Sequence, residues 1–574
     1  MSHFYNSLSP SRKEWVDQTL SSLTLDEMIG QKLGPLINIP WDPSRTKEQL
    51  TERALKYQVG TVHACGNLSP AEMRKDLEEL QAGFKVPALV STDIETFARY
   101  PGAVPGGTAM NLGAISDLAR AEDLAFECGR LAARQGRSMG ITWAFGPVMD
   151  IWYNLDNPIC TTRSFSSDPE RVAVLGAALV KGFQTGGMAA TLKHFPGDGT
   201  DTHDQHAVTS HNFLSLDEWR STYGKTFGRG INAHAYSVMI GHIAMPALSS
   251  RAADTGDLLP ASLDPRIMQD LLREEMAFEG VIVSDAIAMG GVTNHCSSIG
   301  DAGVKHIIAG GDVVLFAEDL DEVVTGVKQA LQEGRYSEAQ LKDSVRRILT
   351  LKASLGLHVP KAPNLSLEAA AAERPAIESL AKEIARSSIT LIRDTSGVLP
   401  LKLAPGKKIT LCMTPDEPTR SSGIQLLDEV DTTIPRPSLA GFLEARGYTV
   451  TLVSHQTELL QEMKSSDAII MVTTCRPIAG RNSIRLSMDA ARCFGHHLTH
   501  CGKPVIYLNM GNPATLLEVS GMRTCISTYG AGEIIEEAVV QAIVGDAKFP
   551  GKLPISMLPE AIPYSVKMRP LPRA

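Results

Sequence analysis

Residues 193–206 read Lys-His-Phe-Pro-Gly-Asp-Gly-Thr-Asp-Thr-His-Asp-Gln-His, a loop too dense in titratable side chains to be structural filler. Lys193 and His194 close an apolar run over 188–192, so two cationic or donor groups sit at a strand end. That placement suits gripping a polyhydroxylated ligand. Gly197 and Gly199 follow, and the segment closes on Asp204-Gln205-His206. An Asp two residues from a His on a glycine-rich loop can orient an imidazole for proton transfer near neutral pH. A second candidate is Asp285, which ends the apolar run 280–285 just before the Gly290-Gly291 break. A carboxylate there serves as a nucleophile, a metal ligand or a helix N-cap, and the segment alone leaves these three open. Beside the Asp204/His206 loop the nucleophile reading gains. One carboxylate attacks a sugar anomeric carbon while a proton donor protonates the departing oxygen.

Elements must bring these stretches together. Short apolar runs recur at 32–38, 59–65, 88–93, 141–150, 188–194, 237–242, 280–285 and 312–317. Helical patterns lie between them, among them 119–135, 169–185, 265–278 and 300–309. Eight strand-like runs alternating with helices imply a parallel sheet, and eight closes a (β/α)8 TIM-type barrel; an open doubly wound sheet is the competing arrangement. Several runs end in a titratable residue: Asp93, Asp150, Lys193 with His194, His242 and Asp285. Strands buried on both faces should be almost wholly apolar, and barrel enzymes build their sites at the C-terminal strand ends. Ordinary strand-end capping accounts for one or two such strand ends, not for five.

The barrel unit is read as 1–358, a Pro-containing linker as 359–375, and a second unit as 376–574. Runs at 408–413, 448–453, 468–473, 505–510 and 525–529 alternate with helical segments such as 534–544, the pattern of an open α/β sandwich.

Composition narrows the class. The 574 residues are 43% hydrophobic and 21% charged, a globular balance for two or three domains. A net charge of -9 leaves no electrostatic footprint for nucleic acid or an anionic membrane. The first 15 residues hold no apolar run of signal-sequence type, and no segment nears the roughly 20 apolar residues of a membrane span. Nine scattered cysteines without a C-x-x-C pair read as free thiols, which points to a cytoplasmic protein.

Three motifs mislead. At 545–552 five residues separate the glycines of a would-be phosphate loop, and Leu553 stands where Ser or Thr is needed. Gly530-Ala531-Gly532 lacks the third glycine of a dinucleotide loop. His496, His497 and His500 between Cys493 and Cys501 match no zinc-finger spacing and read as a helix surface.

With these residues in view, the chain resembles the β-N-acetylglucosaminidases of glycoside hydrolase family 3 over nearly its whole length. The family's K-H-F-P-G-x-G followed by D-x-H matches Lys193 to Gly199 and Asp204-Gln205-His206; its nucleophile strand matches 280–285; its R-S-F matches Arg163-Ser164-Phe165. The C-terminal unit, ending in Phe-Pro-Gly-Lys-Leu-Pro at 549–554, is similar to the sandwich domain of many members. The resemblance implies Asp285 as nucleophile, His206 as acid/base, Asp204 orienting it, and Asp93, Arg163, Lys193 and His194 holding sugar hydroxyls, with Asp150 behind them. It implies no cofactor and no metal, and a small saccharide with terminal β-GlcNAc as substrate. Three departures stand out. Residues 93–99 lack both glycines of the family's D-x-E-G-G-R, which unsettles a role for Arg99; Asp198 replaces a common His, and Gln205 a common Ser.

The first reading is therefore a retaining exo-β-N-acetylglucosaminidase. A β-glucosidase or a β-N-acetylglucosaminide phosphorylase fits the same scaffold. A metal-dependent hydrolase using His194, His203, Asp204, His206 and His211 is the reading from another class, and a sugar-binding protein without catalysis a third. The second unit carries no obvious catalytic group. Packing, substrate fencing or homodimerisation are its expected roles; an approach of 481–485 to the barrel mouth is open, with a surface loop the preferred reading.

Overall fold

The computed structural model describes residues 3–37, 46–64, 68–98, 100–317, 319–359, 365–413, 437–477, 480, 484–486 and 496–557. Eight short strands lead the fold: β1 Leu33–Gly34, β2 Thr61–His63, β3 Leu89–Thr92, β4 Trp143–Ala144, β5 Thr191–Phe195, β6 Ser237–Ile240, β7 Val281–Ser284 and β8 Val314–Leu315. All neighbours run parallel. β2, β3 and β4 pair in order, as do β5, β6 and β7, and β8 pairs with β1 at Leu33↔Val314. Single parallel bridges join the groups at Leu36↔His63, Trp143↔Ala189, Val148↔Lys193 and Val283↔Val313. The ring is closed. An open sheet would leave two edges, so the doubly wound alternative falls and the TIM-type barrel stands.

The helices follow the apolar periodicity and their caps. Leu118–Ser138 starts where Asp117 accepts the N–H groups of Ala119 and Arg120 at 3.0 and 3.3 Å. Pro169–Thr185 starts at Asp168, with Pro169 in the first turn, where a missing N–H costs no bond. The pattern at 265–278 forms a wider π-type helix, Arg266–Glu275.

The second unit is a six-stranded sheet, completed by β9 Thr390–Asp394, β10 Lys408–Met413, β11 Thr449–Val453, β12 Ala468–Thr473, β13 Val505–Asn509 and β14 Thr524–Ser527. Its order is β9-β14-β13-β12-β10-β11, all parallel except β9, which runs antiparallel to β14 at the edge. The sequence pattern had shown the five parallel strands and not β9.

Pro375 marks the start of an element. It lies in the first turn of helix Arg374–Ser388, which buries Ile377, Leu380 and Ile384 with the barrel and Ala385 in the core of the second unit. Residues 360–364 of the expected linker lie outside the described ones. Further bonds fasten the two units side by side: Asn111 Nδ2 donates to Thr528 O at 2.8 Å, and Ser167 N to Pro554 O at 3.1 Å.

Candidate active site

The strand-end residues converge at one mouth of the barrel. Asp285 follows β7; its N–H is held by Ile240 O at 2.9 Å, and its Oδ1 accepts the Ala286 N–H at 2.8 Å. Its Oδ2 lies 3.9 Å from His194 Nε2, and its side chain is 15% exposed. His194 and Lys193, on β5, are buried. Asp150 Oδ2 takes the His194 Nδ1 at 2.6 Å; a carboxylate only accepts, so Nδ1 carries the proton and Nε2 faces Asp285. Burial works to raise the Asp285 carboxyl, but the imidazoles of His194, His242 and His206 outweigh it and hold it below its ordinary value.

Beside this pair stands a knot of opposite charges. Lys193 Nζ lies 3.2 Å from Asp93 and 3.0 Å from Glu95, while Arg163 contacts Glu95 at 2.6 Å and approaches His194 Nε2 at 3.4 Å. Asp93 is 61% exposed and faces the opening. Burial would lower the Lys193 ammonium; Glu95 and Asp93 reverse that and raise it.

The dyad loop is fixed against the Asp285 turn. Gly197 and Gly199 both adopt positive φ (119° and 110°). A Cβ there would lie 2.1 Å from the Tyr223 ring and 2.0 Å from Ile151 O, so the motif's two glycines are steric necessities. Asp204 Oδ1 accepts both the Nδ1 and the backbone N–H of His206, at 2.7 and 2.9 Å, which turns Nε2 outward. His206 is 27% exposed while Asp204 is buried. The chain beyond Asp285 then grips this loop: Gly290 N donates to His206 O at 2.9 Å and Gly291 N to Gln205 O at 3.1 Å.

Every expected site residue thus lies around this mouth: Asp93, Arg163, Lys193, His194, Asp204, His206 and Asp285. Arg99 lies outside the described residues. The structure adds Glu95 and Gly480, which the sequence reading passed over, and gives partners to His242 and Asp198, which it had named without a role. Glu95 is the shared partner of Arg163 and Lys193. Buried His242 donates Nε2–H to Ala286 O at 3.0 Å and accepts from Ser262 Oγ at 2.8 Å, bracing the nucleophile's neighbour. Asp198 accepts from Asn157 Nδ2 at 2.8 Å, and burial beside Asp150 pushes its carboxyl up. From the second unit, Gly480 N donates to Asp204 Oδ2 at 2.6 Å, and Arg485 pairs with Asp156. Arg485 therefore touches the barrel, the less favoured of the two sequence readings, and does not lie on a free surface loop; 481–483 lie outside the described residues.

Comparison with known proteins gives the chain's family. The model of the glycosyl hydrolase family 3 N terminal domain matches residues 24–351. The chain is 31% identical over 568 residues to a beta-N-acetylglucosaminidase/beta-glucosidase of Cellulomonas fimi, covering 94% of this chain and 95% of that protein. The chain belongs to glycosyl hydrolase family 3. Among solved structures, a beta-glucoside phosphorylase BglX superposes with a TM-score of 0.82 at 28% identity, covering 98% of both chains. A family 3 beta-N-acetylglucosaminidase from Paenibacillus sp. str. FPU-7 superposes with a TM-score of 0.78 at 25% identity, covering 93% of this chain and 99% of that one.

For a family 3 glycosidase acting on a saccharide, the remaining question at this mouth is metal chemistry. Among the described residues, Asp201, His203 and His211 bring three ligand atoms within 4.8 Å of one another. Asp201 already spends its oxygens on the loop: Oδ1 accepts Thr202 N at 2.7 Å, and Oδ2 accepts His211 N at 2.9 Å. The trio includes neither Asp285 nor the dyad, and its side chains bond one another, with His203 Nδ1 and His211 Nδ1 2.9 and 3.1 Å from the Asp201 oxygens. The cysteines 128, 160, 296, 412, 475, 501 and 525 are free thiols. No described helix is long and apolar enough to cross a membrane.

Proposed function

We propose that the chain is a retaining, exo-acting β-N-acetylglucosaminidase that removes terminal β-GlcNAc through a covalent glycosyl-Asp285 intermediate. The observation that carries this reading is the meeting of Asp285 with the 193–206 segment: His194 Nε2 at 3.9 Å, and the His206 and Gln205 carbonyls bonded to the turn beyond Asp285. In the first step Asp285 Oδ2 attacks the anomeric carbon while His206 gives its outward proton to the glycosidic oxygen, which leaves as an alcohol. In the second, water attacks that carbon, His206 takes the water's proton, and the Asp285 ester bond breaks. Two inversions give net retention. Asp93, Lys193, Arg163 and His194 supply the donors and acceptors for sugar hydroxyls, with Glu95 and Asp150 fixing their directions. The Asp204/His206 dyad and the name of the Paenibacillus relative favour the acetamido sugar over glucose, while the Cellulomonas relative's name carries both sugars.

Phosphorolysis is the second reading, and a specific feature favours it. After the first step His206 is neutral, so it repels an anionic acceptor less than a carboxylate base would; the BglX phosphorylase also covers 98% of the chain. Parallel assays of p-nitrophenyl N-acetyl-β-glucosaminide and p-nitrophenyl β-glucoside, with and without phosphate, test both. Faster cleavage of the first with free sugar as product supports the proposal; hexosamine 1-phosphate in phosphate buffer replaces hydrolysis with phosphorolysis; preference for the glucoside overturns the sugar assignment.

A further inference from the structure

We propose that the second unit is a working part of the acid/base: it presents the Gly480 N–H to Asp204 and so holds that carboxylate against His206. The inference rests on His206 being the proton donor.

Asp204 is buried and its two oxygens are divided. Oδ1 faces His206 alone, while Oδ2 points away and takes the Gly480 amide at 2.6 Å. A carboxylate pinned at both oxygens cannot rotate its Oδ1 off the imidazole. The donor is a backbone group from a different domain, 276 residues along the chain.

Two described residues that flank Gly480 in the chain, Cys475 and Ile484, are tied to one side chain and its backbone. Buried Asn512 donates its backbone N–H to Cys475 O at 2.7 Å and its Nδ2 to Ile484 O at 3.2 Å, gripping the segment five residues before and four residues after Gly480. Its Oδ1 separately caps Ala514 N at 2.9 Å. On the barrel side Arg485 pairs with Asp156, with Glu518 3.9 Å from the same guanidinium. Arg485 and Asp156 are both half exposed, so the pair adds little to global stability. It instead holds Arg485 against the barrel at Asp156.

Among the described residues around the dyad, Asp204, Asp285 and His242 are the charged or titratable groups that bear on His206. Loosening the Gly480 contact changes only the first. An imidazolium with a slack carboxylate partner gives up its proton at lower pH. The alkaline limb of kcat/KM against pH, which reports a proton donor in the free enzyme, therefore reads the contact directly.

The test uses the full chain with Arg485→Ala, Asp156→Ala, the double variant, Arg485→Lys, and Asn512→Asp, which keeps the Ala514 cap and loses the donor to Ile484. The expected result is an alkaline limb moved down by about half a pH unit in Arg485→Ala, Asp156→Ala and Asn512→Asp, roughly a threefold loss above the limb. The double variant should be no worse than either single, and Arg485→Lys should recover part of the shift. His206→Ala is measured beside them. A limb that persists there removes His206 as donor and sinks the parent reading. A limb lost in His206→Ala but unmoved in Arg485→Ala and Asn512→Asp overturns this inference alone.

Discussion

The His194 imidazole is fastened through Nδ1 to Asp150 Oδ2 at 2.6 Å and lies 3.9 Å through Nε2 from Asp285 Oδ2. One ring thus transmits the orientation set by a buried carboxylate to the oxygen proposed to attack the sugar. With His242 and His206 it also keeps Asp285 anionic against the burial that would protonate it.

That balance sets the acid side of the pH profile. Asp285 sits below its ordinary 3.8, so the acid limb of kcat/KM should fall below about pH 4. Replacing His194 with Asn removes a group that holds the carboxyl down, and burial then dominates. The acid limb should move to higher pH, and kcat/KM should drop by about 10- to 100-fold, as a pH-rate profile of the variant will show.

His206→Ala should cost about 10²- to 10⁴-fold on substrates whose leaving group needs a proton, and far less on 2,4-dinitrophenyl glycosides. Azide should restore turnover and yield a β-glycosyl azide, because the small anion attacks the ester without a base. Uniform loss across leaving groups, with no azide product, would remove His206 from the proton-transfer role.

Glu95→Gln should raise KM and lower kcat/KM by more than about 10-fold, because Lys193 and Arg163 lose the shared anion that aims them. A thermal melt should also shift downward, since buried Lys193 keeps only its Asp93 pair and half-buried Arg163 loses its ion pair with Glu95. Unchanged kinetics would mean that these cations do not touch substrate.

The parts of this site that were legible in the sequence are those that carry their signature in side chains at strand ends. Asp93, Lys193, His194 and Asp285 stand out because parallel strands are otherwise apolar, and the barrel follows from eight such runs. Glu95 escaped because it lies in irregular backbone two residues past Asp93, where a carboxylate resembles any surface acid. Gly480 escaped for a deeper reason: its contribution is a backbone N–H, which every non-proline residue has. β9 was missed because Thr390–Asp394 is a half-buried edge strand with Arg and Asp at one end, lacking the apolar run of its neighbours.

Asp201 supports the dyad loop and should show in acid stability. Burial would raise its carboxyl, but bonds from His211 and His203 bring it down to about 2, below the 3.8 expected in an unfolded chain. Its contribution is therefore present above about pH 4 and is lost as pH falls through about 2, and a shift of nearly two units is worth about 2 kcal/mol. Asp201→Asn should be less stable than the parent chain by about that amount in denaturant melts at pH 6, with the gap closing toward pH 2. A gap that stays constant with pH would assign Asp201 a purely steric role.

The central claim is that the Asp285 carboxylate attacks the anomeric carbon. A 2-acetamido-2-deoxy-5-fluoro-β-glucosyl fluoride should inactivate the enzyme with one sugar bound per chain, and peptide mapping should place that sugar on Asp285. Label on any other residue, or turnover without a trapped ester in an enzyme that cleaves the parent glycoside, would contradict it.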